Sequence, residues 1–130
     1  MQKAKSKDTN KNSKKDLKVK AYCYALKIIH LLERLPKDYI TQTIGKQLLR
    51  SATSIGANTI EAQSASSKKD FTNFLNHALK SANESKFWLG LLRDSKKVNS
   101  EIINPLLQET HEFANILGAS ILTVKGERNF

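Results

Sequence analysis

The feature that most constrains the fold is an apolar spacing of three and four residues, which recurs in four segments after Asp16. In the first segment this spacing runs from Leu17 to Leu35. Pro36 ends it, because proline donates no backbone hydrogen bond and restricts the residue before it. Side chains with this period share one face of an α-helix, so each segment predicts an amphipathic helix. No segment alternates with the period of two that a half-buried strand requires, and the sequence therefore predicts an all-α fold.

Capping residues and short connections predict how the helices are joined. The predicted helices cover residues of about 16–35, 39–64, 67–97 and 101–124. Asp16 is the expected N-cap of the first helix, and Ser67 with Asp70 has the form of a capping box at the start of the third. Because the connections are only a few residues long, an antiparallel up-and-down four-helix bundle is the expected architecture.

The start of the fourth helix has two interpretations. Asn99 or Ser100 caps it in the first, which places Pro105 about one turn inside the helix. In the second, Asn104 is the cap and Pro105 is the first helical residue, a position that proline favours. The sequence leaves both open.

The same spacing assigns the core-facing positions. The second helix is expected to bury Ile40, Ile44, Leu48, Ala52, Ile55, Thr59 and Ala62. The third is expected to bury Phe71, Phe74, Leu75, Ala78, Leu79, Ala82, Leu89 and Leu92. The fourth is expected to bury Ile102, Leu106, Thr110, Phe113, Leu117, Ile121 and Val124. Gly45 and Gly56 lie inside the second helix, where each glycine destabilises the helix by about 1 kcal/mol relative to alanine. Because a glycine lets another chain segment come close, we expect another helix to approach at these positions.

Two helices are apolar on more than one face. The fourth carries a second stripe of Ile103, Leu107, Ala114 and Ile121. The first carries Tyr22 and Ile29 away from its main face. Apolar residues on two faces are typical of helices that are buried on two sides, which favours a homo-oligomer. The alternative is a wide core face in a monomer.

The positive charge is concentrated at the N-terminus. The 130 residues have a net charge of +10, and residues 1–20 hold eight lysines and two acids, a net charge of +6. Residues 1–15 contain too few apolar side chains to bury, so we expect a disordered basic tail ahead of a bundle at 16–125. The lysines at its end are candidate phosphate contacts: Lys14, Lys15, Lys18 and Lys20. The alternatives are an acidic partner and a purely solubilising tail.

Motifs for catalysis, cofactors and metals are missing from the sequence. None of the three histidines, His30, His77 and His111, follows a carboxylate by three residues, as a di-iron bundle site requires. There is no glycine-rich phosphate loop, and Cys23 has no Cys or His partner at metal-binding or haem spacing. We therefore expect no catalytic residue, no metal and no cofactor. One cysteine and no long apolar run indicate a cytoplasmic protein without a membrane span.

Polar and basic residues of the second and third helices are the remaining candidates for a site. Asn58, Glu61, Lys80 and Glu84 are expected to form a structural hydrogen-bond network, with a ligand site as the alternative. Lys46, Arg50, Lys68 and Lys69 form a basic patch for nucleic acid if they project to one side. Trp88 is expected in the core or in a subunit interface, and a base-stacking platform is its alternative role.

The ordered motifs of residues 47–92 resemble a known family. They comprise a Gln-Leu-x-Arg stretch, a Ser-Ile-x-Ala-Asn segment followed by Glu, a Ser-Lys-x-Asp-Phe segment and an Ala-Leu-Lys-x-Ala-x-Glu-Ser-x-x-Trp-Leu run. Here these are Gln47, Leu48 and Arg50; Ser54, Ile55, Ala57, Asn58 and Glu61; Ser67, Lys68, Asp70 and Phe71; and Ala78, Leu79, Lys80, Ala82, Glu84, Ser85, Trp88 and Leu89. The set is similar to the bacterial four helix bundle protein family, also called the 23S rRNA intervening-sequence protein family. With the Leu35-Pro36-Lys37 corner, the resemblance covers residues of about 17–124.

The resemblance implies an all-α up-and-down bundle that assembles as a homopentamer. Some members of the family are encoded within insertions in 23S rRNA genes. A related branch is the accessory variability determinant of diversity-generating retroelements, a basic pentamer that binds nucleic acid and its reverse transcriptase. The expected function is therefore a non-enzymatic, oligomeric bundle that binds RNA or DNA through its tail and basic surface. The alternative is a protein-interaction scaffold, such as an accessory partner of a reverse transcriptase.

Overall fold

The computed structural model describes the backbone of residues 13–128 and the side chains of residues 17–126. Its four helices are α1 (Ser13–Glu33), α2 (Tyr39–Gln63), α3 (Lys68–Asp94) and α4 (Ser100–Arg128). No strand occurs within residues 13–128, which confirms the predicted all-α fold. None of the helices in this part of the chain holds a segment long and apolar enough to cross a bilayer.

The helix bounds differ from the predicted ones by a few residues. α1 begins at Ser13, so residues 13–15, which the charge pattern assigns to the tail, are helical. Lysine is a good helix former, and nothing in Ser13-Lys14-Lys15 stops a helix before Asp16. The rest of the predicted tail, residues 1–12, lies outside the described residues.

Side-chain oxygens cap the starts of α2 and α3. Asp38 accepts hydrogen bonds from the backbone N–H of Thr41 at 2.9 Å and from the Thr41 hydroxyl at 2.8 Å. These bonds favour the ionised carboxylate and lower the pKa of Asp38. Ser67 accepts from the backbone N–H of Asp70 at 3.1 Å, as the capping-box pattern predicts.

The start of α4 corresponds to the earlier of its two interpretations. The helix begins at Ser100, and the Asn99 side chain accepts a hydrogen bond from the backbone N–H of Glu101 at 2.8 Å. Pro105 therefore lies inside the helix, where it removes the intrahelical donor for the Glu101 carbonyl.

The end of α3 is formed by one residue with a left-handed backbone. Lys96 has a φ of 62°, a conformation that glycine adopts more readily than other residues. The backbone N–H of Lys97 then donates to the Leu92 carbonyl at 3.1 Å, which satisfies a carbonyl of the last helical turn.

The helices pack around one core in chain order. α2 contacts α1 and α3, α3 also contacts α4, and α4 meets α1, which closes a four-helix bundle. Tyr24 is fully buried between α1 and α4, where its ring stands edge-on to Phe113 with the centroids 5.3 Å apart. Other large side chains that are fully buried are Ile28, Leu48, Ile55, Leu89, Leu92, Ile103 and Leu117. Their burial is the main stabilising contribution, since each apolar side chain of this size contributes about 1.5–3 kcal/mol.

Two predicted core stripes are displaced by one residue at their first turns. Ile40 and Ile102 are 57% and 46% exposed, whereas Thr41 and Ile103 are fully buried. The prediction is wrong for these two isoleucines because adjacent residues fit the helical period almost equally well at the end of a stripe. At α2 the cap determines which residue faces the core, because the two hydrogen bonds from Thr41 to Asp38 fix the rotation of the first turn.

The surplus apolar faces have different environments on the two helices. On α4 the second stripe belongs largely to the core, because Ile103, Ala114 and Ile121 are buried. On α1 apolar residues at spacings of three, four and three lie opposite the core-facing side. These residues, the α1 stripe, are Val19, Tyr22, Leu26 and Ile29, and they are 60%, 67%, 41% and 37% exposed.

Gly45 and Gly56 lie where α1 packs on α2. A Cβ atom added at Gly45 would stand 2.9 Å from Cδ1 of Leu35, and one added at Gly56 would stand 3.4 Å from Cβ of Ala21. Leu35 lies just after the end of α1, and Cδ2 of Leu32 in the last turn of α1 would be 3.3 Å from the same added atom. α1 therefore approaches α2 at both glycines, as predicted, and the contact is tighter at Gly45.

Candidate functional site

Small side chains line the interface between α2 and α3. On α2 Ser51 and Ala52 are fully buried, and on α3 Ala78, Ala82 and Ser85 are fully buried as well. The distance between packed helices depends on the side chains at the contact, so this composition brings the two backbones close together. Hydroxyl groups on one helix then reach the other.

Serine hydroxyls bridge this interface in two places. The hydroxyls of Ser51 and Ser85 are 2.8 Å apart, and the Ser81 hydroxyl donates to the Ser54 hydroxyl at 3.0 Å. The amide nitrogen of Asn58 donates to the carbonyl and the hydroxyl of Ser54, both at 2.9 Å. This half-buried amide is therefore bonded within its own helix.

A carboxylate joins the two helices at the more exposed edge of the same interface. Glu84 on α3 accepts a hydrogen bond from the Arg50 guanidinium on α2 and another from the Trp88 indole N–H at 3.2 Å. Arg50 also donates to the Gln47 amide oxygen at 3.1 Å. The Trp88 ring packs edge to face against Phe87, with the centroids 4.9 Å apart. One carboxylate thus orients both a guanidinium and an indole.

These two sets of contacts line the same interface, and together we call them the polar seam. Its members are Gln47, Arg50, Ser51, Ser54, Asn58, Ser81, Glu84, Ser85 and Trp88. No buried side-chain nitrogen or oxygen in the described part of the chain lacks a hydrogen-bond partner. A satisfied network of this kind fixes the register of two helices, because any slip would leave buried hydroxyls unpaired.

The predicted polar set is only partly brought together. Asn58 and Glu84 belong to the polar seam, whereas Glu61 and Lys80 are exposed and lie outside it. Lys80 and Glu84 are spaced as a helical ion pair, but Glu84 pairs with Arg50 of the neighbouring helix instead. Trp88 is half-buried against the core, where its N–H is bonded to Glu84.

The predicted basic residues lie in separate places. Lys46 and Arg50 are exposed one turn apart on α2, and Lys68 and Lys69 form the start of α3. From Arg50 to the end of α2 at Gln63 the helix rises by about 20 Å, so the two pairs do not make a single patch. Lys18 and Lys20 are exposed on α1. Lys14 and Lys15 lie in the first turn of α1, ahead of the described side chains.

Sequence reasoning missed the serines of the polar seam. Ser51 and Ser54 are followed by Asn58, and Ser81 and Ser85 are followed by Trp88, so both sets repeat at spacings of three and four. This is the spacing of a helix face, but the apolar residues of the same helices conceal it. A polar stripe beside the apolar stripe on the same helix is the sequence signal that identifies these serines.

Metal-binding geometry is missing from the described residues. Among the side chains that the structure describes, those of residues 17–126, no group of three or more His, Cys, Asp or Glu is placed to hold a metal ion. Cys23 is a free, exposed thiol on α1. His30 lies 3.4 Å from a Glu33 carboxylate oxygen, a contact between neighbouring turns of one helix.

Comparison with known proteins places the chain among its relatives. The family model described as 23S rRNA-intervening sequence protein matches residues 14–119. The chain is also similar to a crystal structure of a protein with unknown function from the S23 ribosomal protein family of Bacteroides thetaiotaomicron. The two are 37% identical with a TM-score of 0.78, over 83% of this chain and 96% of the other. No curated protein matches this chain significantly. The family match covers most of the chain, including both helices of the polar seam, all of the α1 stripe and most of α4. The chain therefore belongs to the 23S rRNA-intervening sequence protein family.

Proposed function

We propose that this chain is a non-enzymatic, homo-oligomeric bundle that binds RNA or DNA in the cytoplasm through contacts to phosphates. The observation that carries the proposal is the uneven distribution of charge, since residues 1–20 hold +6 of the chain's +10. A short segment of such charge density binds a nucleic acid because its lysines displace the counterions condensed on the phosphates. The affinity of such binding depends little on base sequence. Binding of this kind needs neither a catalytic residue nor a cofactor.

Exposed lysines carry positive charge on the surface of the bundle as well. Lys18, Lys20, Lys46 and Lys69 are exposed and have no acidic partner among the described residues. Arg50 contributes less to phosphate binding, because Glu84 already pairs with its guanidinium. We therefore assign most of the affinity to the N-terminal lysines and a smaller share to the bundle.

The α1 stripe supports self-association. Its spacing of three, four and three corresponds to the a and d positions of a heptad, repeated over about 15 Å of helix. Apolar side chains in this arrangement are stabilised when a second helix packs on them. The homopentamer implied by the family resemblance is the oligomer that we propose.

Within each subunit we propose an antiparallel, up-and-down order of helices. The support comes from pairs of residues whose numbers run in opposite directions. Ala21 lies near Gly56 while Leu35 lies near Gly45. Between α2 and α3, Ser51 contacts Ser85 while Ser54 contacts Ser81.

Binding to labelled RNA and DNA oligonucleotides tests the proposal. We expect the full chain to bind both at low salt, and a chain that begins at Ser13 to bind at least about tenfold more weakly because four lysines are lost. A Lys46→Gln, Lys69→Gln double variant should weaken binding further, and circular dichroism confirms the helical content of each protein. Equal affinity with and without residues 1–12 would mean that the phosphate contacts are made by the bundle. No binding by any of the proteins would reject the function.

A protein-interaction scaffold is the second candidate, and the α1 stripe favours it because the stripe is apolar rather than basic. A reverse transcriptase is the partner that we propose in this case. Affinity capture from the native host, with and without nuclease treatment, separates the two functions. A polypeptide that remains bound after nuclease treatment supports the scaffold, and a partner that is lost with the nucleic acid supports direct binding.

A further inference from the structure

An open cleft lies between the C-terminal end of α1 and the start of α4. Its volume is about 630 Å³, which falls within the range of roughly 300–1,000 Å³ that is typical of small-molecule sites. The floor of the cleft is apolar and consists of Leu31, Leu35, Val98, Ile102 and Leu106. The cleft faces α4, whereas the α1 stripe lies opposite the core, so the two surfaces are distinct.

The mouth of the cleft is positively charged. Three cationic side chains line it, Lys27, Arg34 and Lys97, together with the His30 ring, against one acidic residue, Glu109. Glu109 lies 3.0 Å from the Lys27 ammonium group, so these two charges compensate each other. Arg34 is exposed and has no acidic partner among the described residues. The ammonium group of Lys97 lies 3.8 Å from the nearest oxygen of Asp38, which is a long contact for an ion pair.

We propose that this cleft binds a small amphipathic carboxylate, a molecule with one anionic head and an apolar body. The Arg34 guanidinium and the Lys97 ammonium group hold the head, since a guanidinium matches the two oxygens of a carboxylate. The apolar body lies on the floor and covers Ile102, which is 46% exposed without a ligand. A neutral molecule of the same shape gains only the contact with the floor.

Titration of the full-length protein with sodium octanoate, followed by amide NMR shifts, tests this site. We expect saturable binding, with the largest shifts at the end of α1 and the first turns of α4. 1-Octanol, which has the same chain length without the charge, should bind at least about fivefold more weakly.

Two variants test the role of the cations. Arg34→Gln should weaken octanoate binding by about fivefold, and Lys97→Gln should weaken it by a similar factor. Lys86→Gln removes a half-buried cation from α3, which contributes no residue to the lining of the cleft, and should leave binding unchanged. Arg34 is exposed, and Lys86 and Lys97 are half-buried outside the core, so the variants are expected to keep the amide spectrum of a folded bundle.

Four results would overturn the proposal. They are the lack of saturable binding, equal affinity for octanoate and 1-octanol, equal effects of Arg34→Gln and Lys86→Gln, and shifts confined to the α1 stripe. The last would mean that the ligand binds the apolar helix face and not the cleft. A cleft covered by a second copy of the chain would give the first result.

Discussion

At the scale of single residues, Tyr24 connects α1 to α4 through both parts of its side chain. The ring contacts Phe113, and the hydroxyl lies 2.5 Å from the hydroxyl of Thr110, which donates in turn to the Leu106 carbonyl at 2.6 Å. Burial raises the pKa of Tyr24 to about 12. The neutral phenol is therefore part of the folded state, and its ionisation opposes folding.

The pKa of Tyr24 predicts a loss of stability at alkaline pH. Below pH 10 the phenol is neutral in both states, and its contribution is fully present. Between pH 10 and about pH 12 the unfolded state releases the proton first, so the free energy of unfolding falls. Tyr24→Phe should cost about 1 kcal/mol at neutral pH through the lost hydrogen bond, and should show a smaller alkaline loss than the wild type. Urea unfolding across this pH range measures both effects, and an equal alkaline loss in the two proteins would contradict the assignment to Tyr24.

The polar seam predicts a specific effect of neutralising Glu84. Glu84→Gln replaces the carboxylate that pairs with Arg50 and accepts a hydrogen bond from the Trp88 indole. The free energy of unfolding should therefore fall by about 1 kcal/mol or less. Trp88 is the only tryptophan in the chain, and its fluorescence should shift with the change in its indole environment.

Glu61→Gln is the matched control for this substitution. Glu61 is also a glutamate, but it is exposed and lies outside the polar seam. Its replacement should leave both the stability and the fluorescence unchanged. If the two substitutions behave alike, the seam does not orient Trp88.

The candidate site was predictable from the sequence only in part. The motifs identify Arg50, Asn58 and Glu84 as important polar residues, but helix periodicity gives no information about which residues on different helices meet. The pairing of Glu84 with Arg50 rather than with Lys80 is a tertiary contact, decided by the close approach of α2 and α3. The serines were missed for the same reason, because a hydroxyl acquires its role only from the opposite helix.

At the scale of whole helices, the contact of α1 with α2 predicts different responses to alanine at two glycines. Gly56→Ala should stabilise the protein by about 0.5–1 kcal/mol, because alanine favours the helix and its Cβ would make an ordinary contact with Ala21. Gly45→Ala should gain less or lose stability, since its Cβ would crowd the buried Leu35 side chain. Thermal unfolding of the two variants measures the difference. Equal stabilisation by both would contradict the tighter approach at Gly45.

The existence and order of the helices were predictable from the sequence, and their exact rotation was not. Leu48, Ala52 and Ile55 are buried as the periodicity predicts, because the middle of an apolar stripe has one consistent face. At the ends of the stripes Ile40 and Ile102 are exposed, because the choice between adjacent residues depends on caps and neighbouring helices.

At the scale of the whole molecule, the proposed self-association predicts that the α1 stripe is its contact surface. Leu26→Glu places a charge in the centre of the stripe and should lower the molar mass in solution without unfolding the bundle, because Leu26 is outside the core. Leu122→Glu, at a 70% exposed position of α4 outside the stripe, is the control and should leave the mass unchanged. Light scattering measures both. A monomeric wild-type protein, or an unchanged mass for Leu26→Glu, would contradict this interface.

The distribution of charge over the molecule makes salt the most direct test of the proposed function. The affinity of the full chain for single-stranded RNA should be measured by fluorescence anisotropy over a series of salt concentrations. If the net charge of +6 on residues 1–20 neutralises six phosphates, the logarithm of the affinity should fall against the logarithm of salt concentration with a slope of roughly −4. Binding that is undetectable at low salt, or an affinity that does not change with salt, would contradict the account.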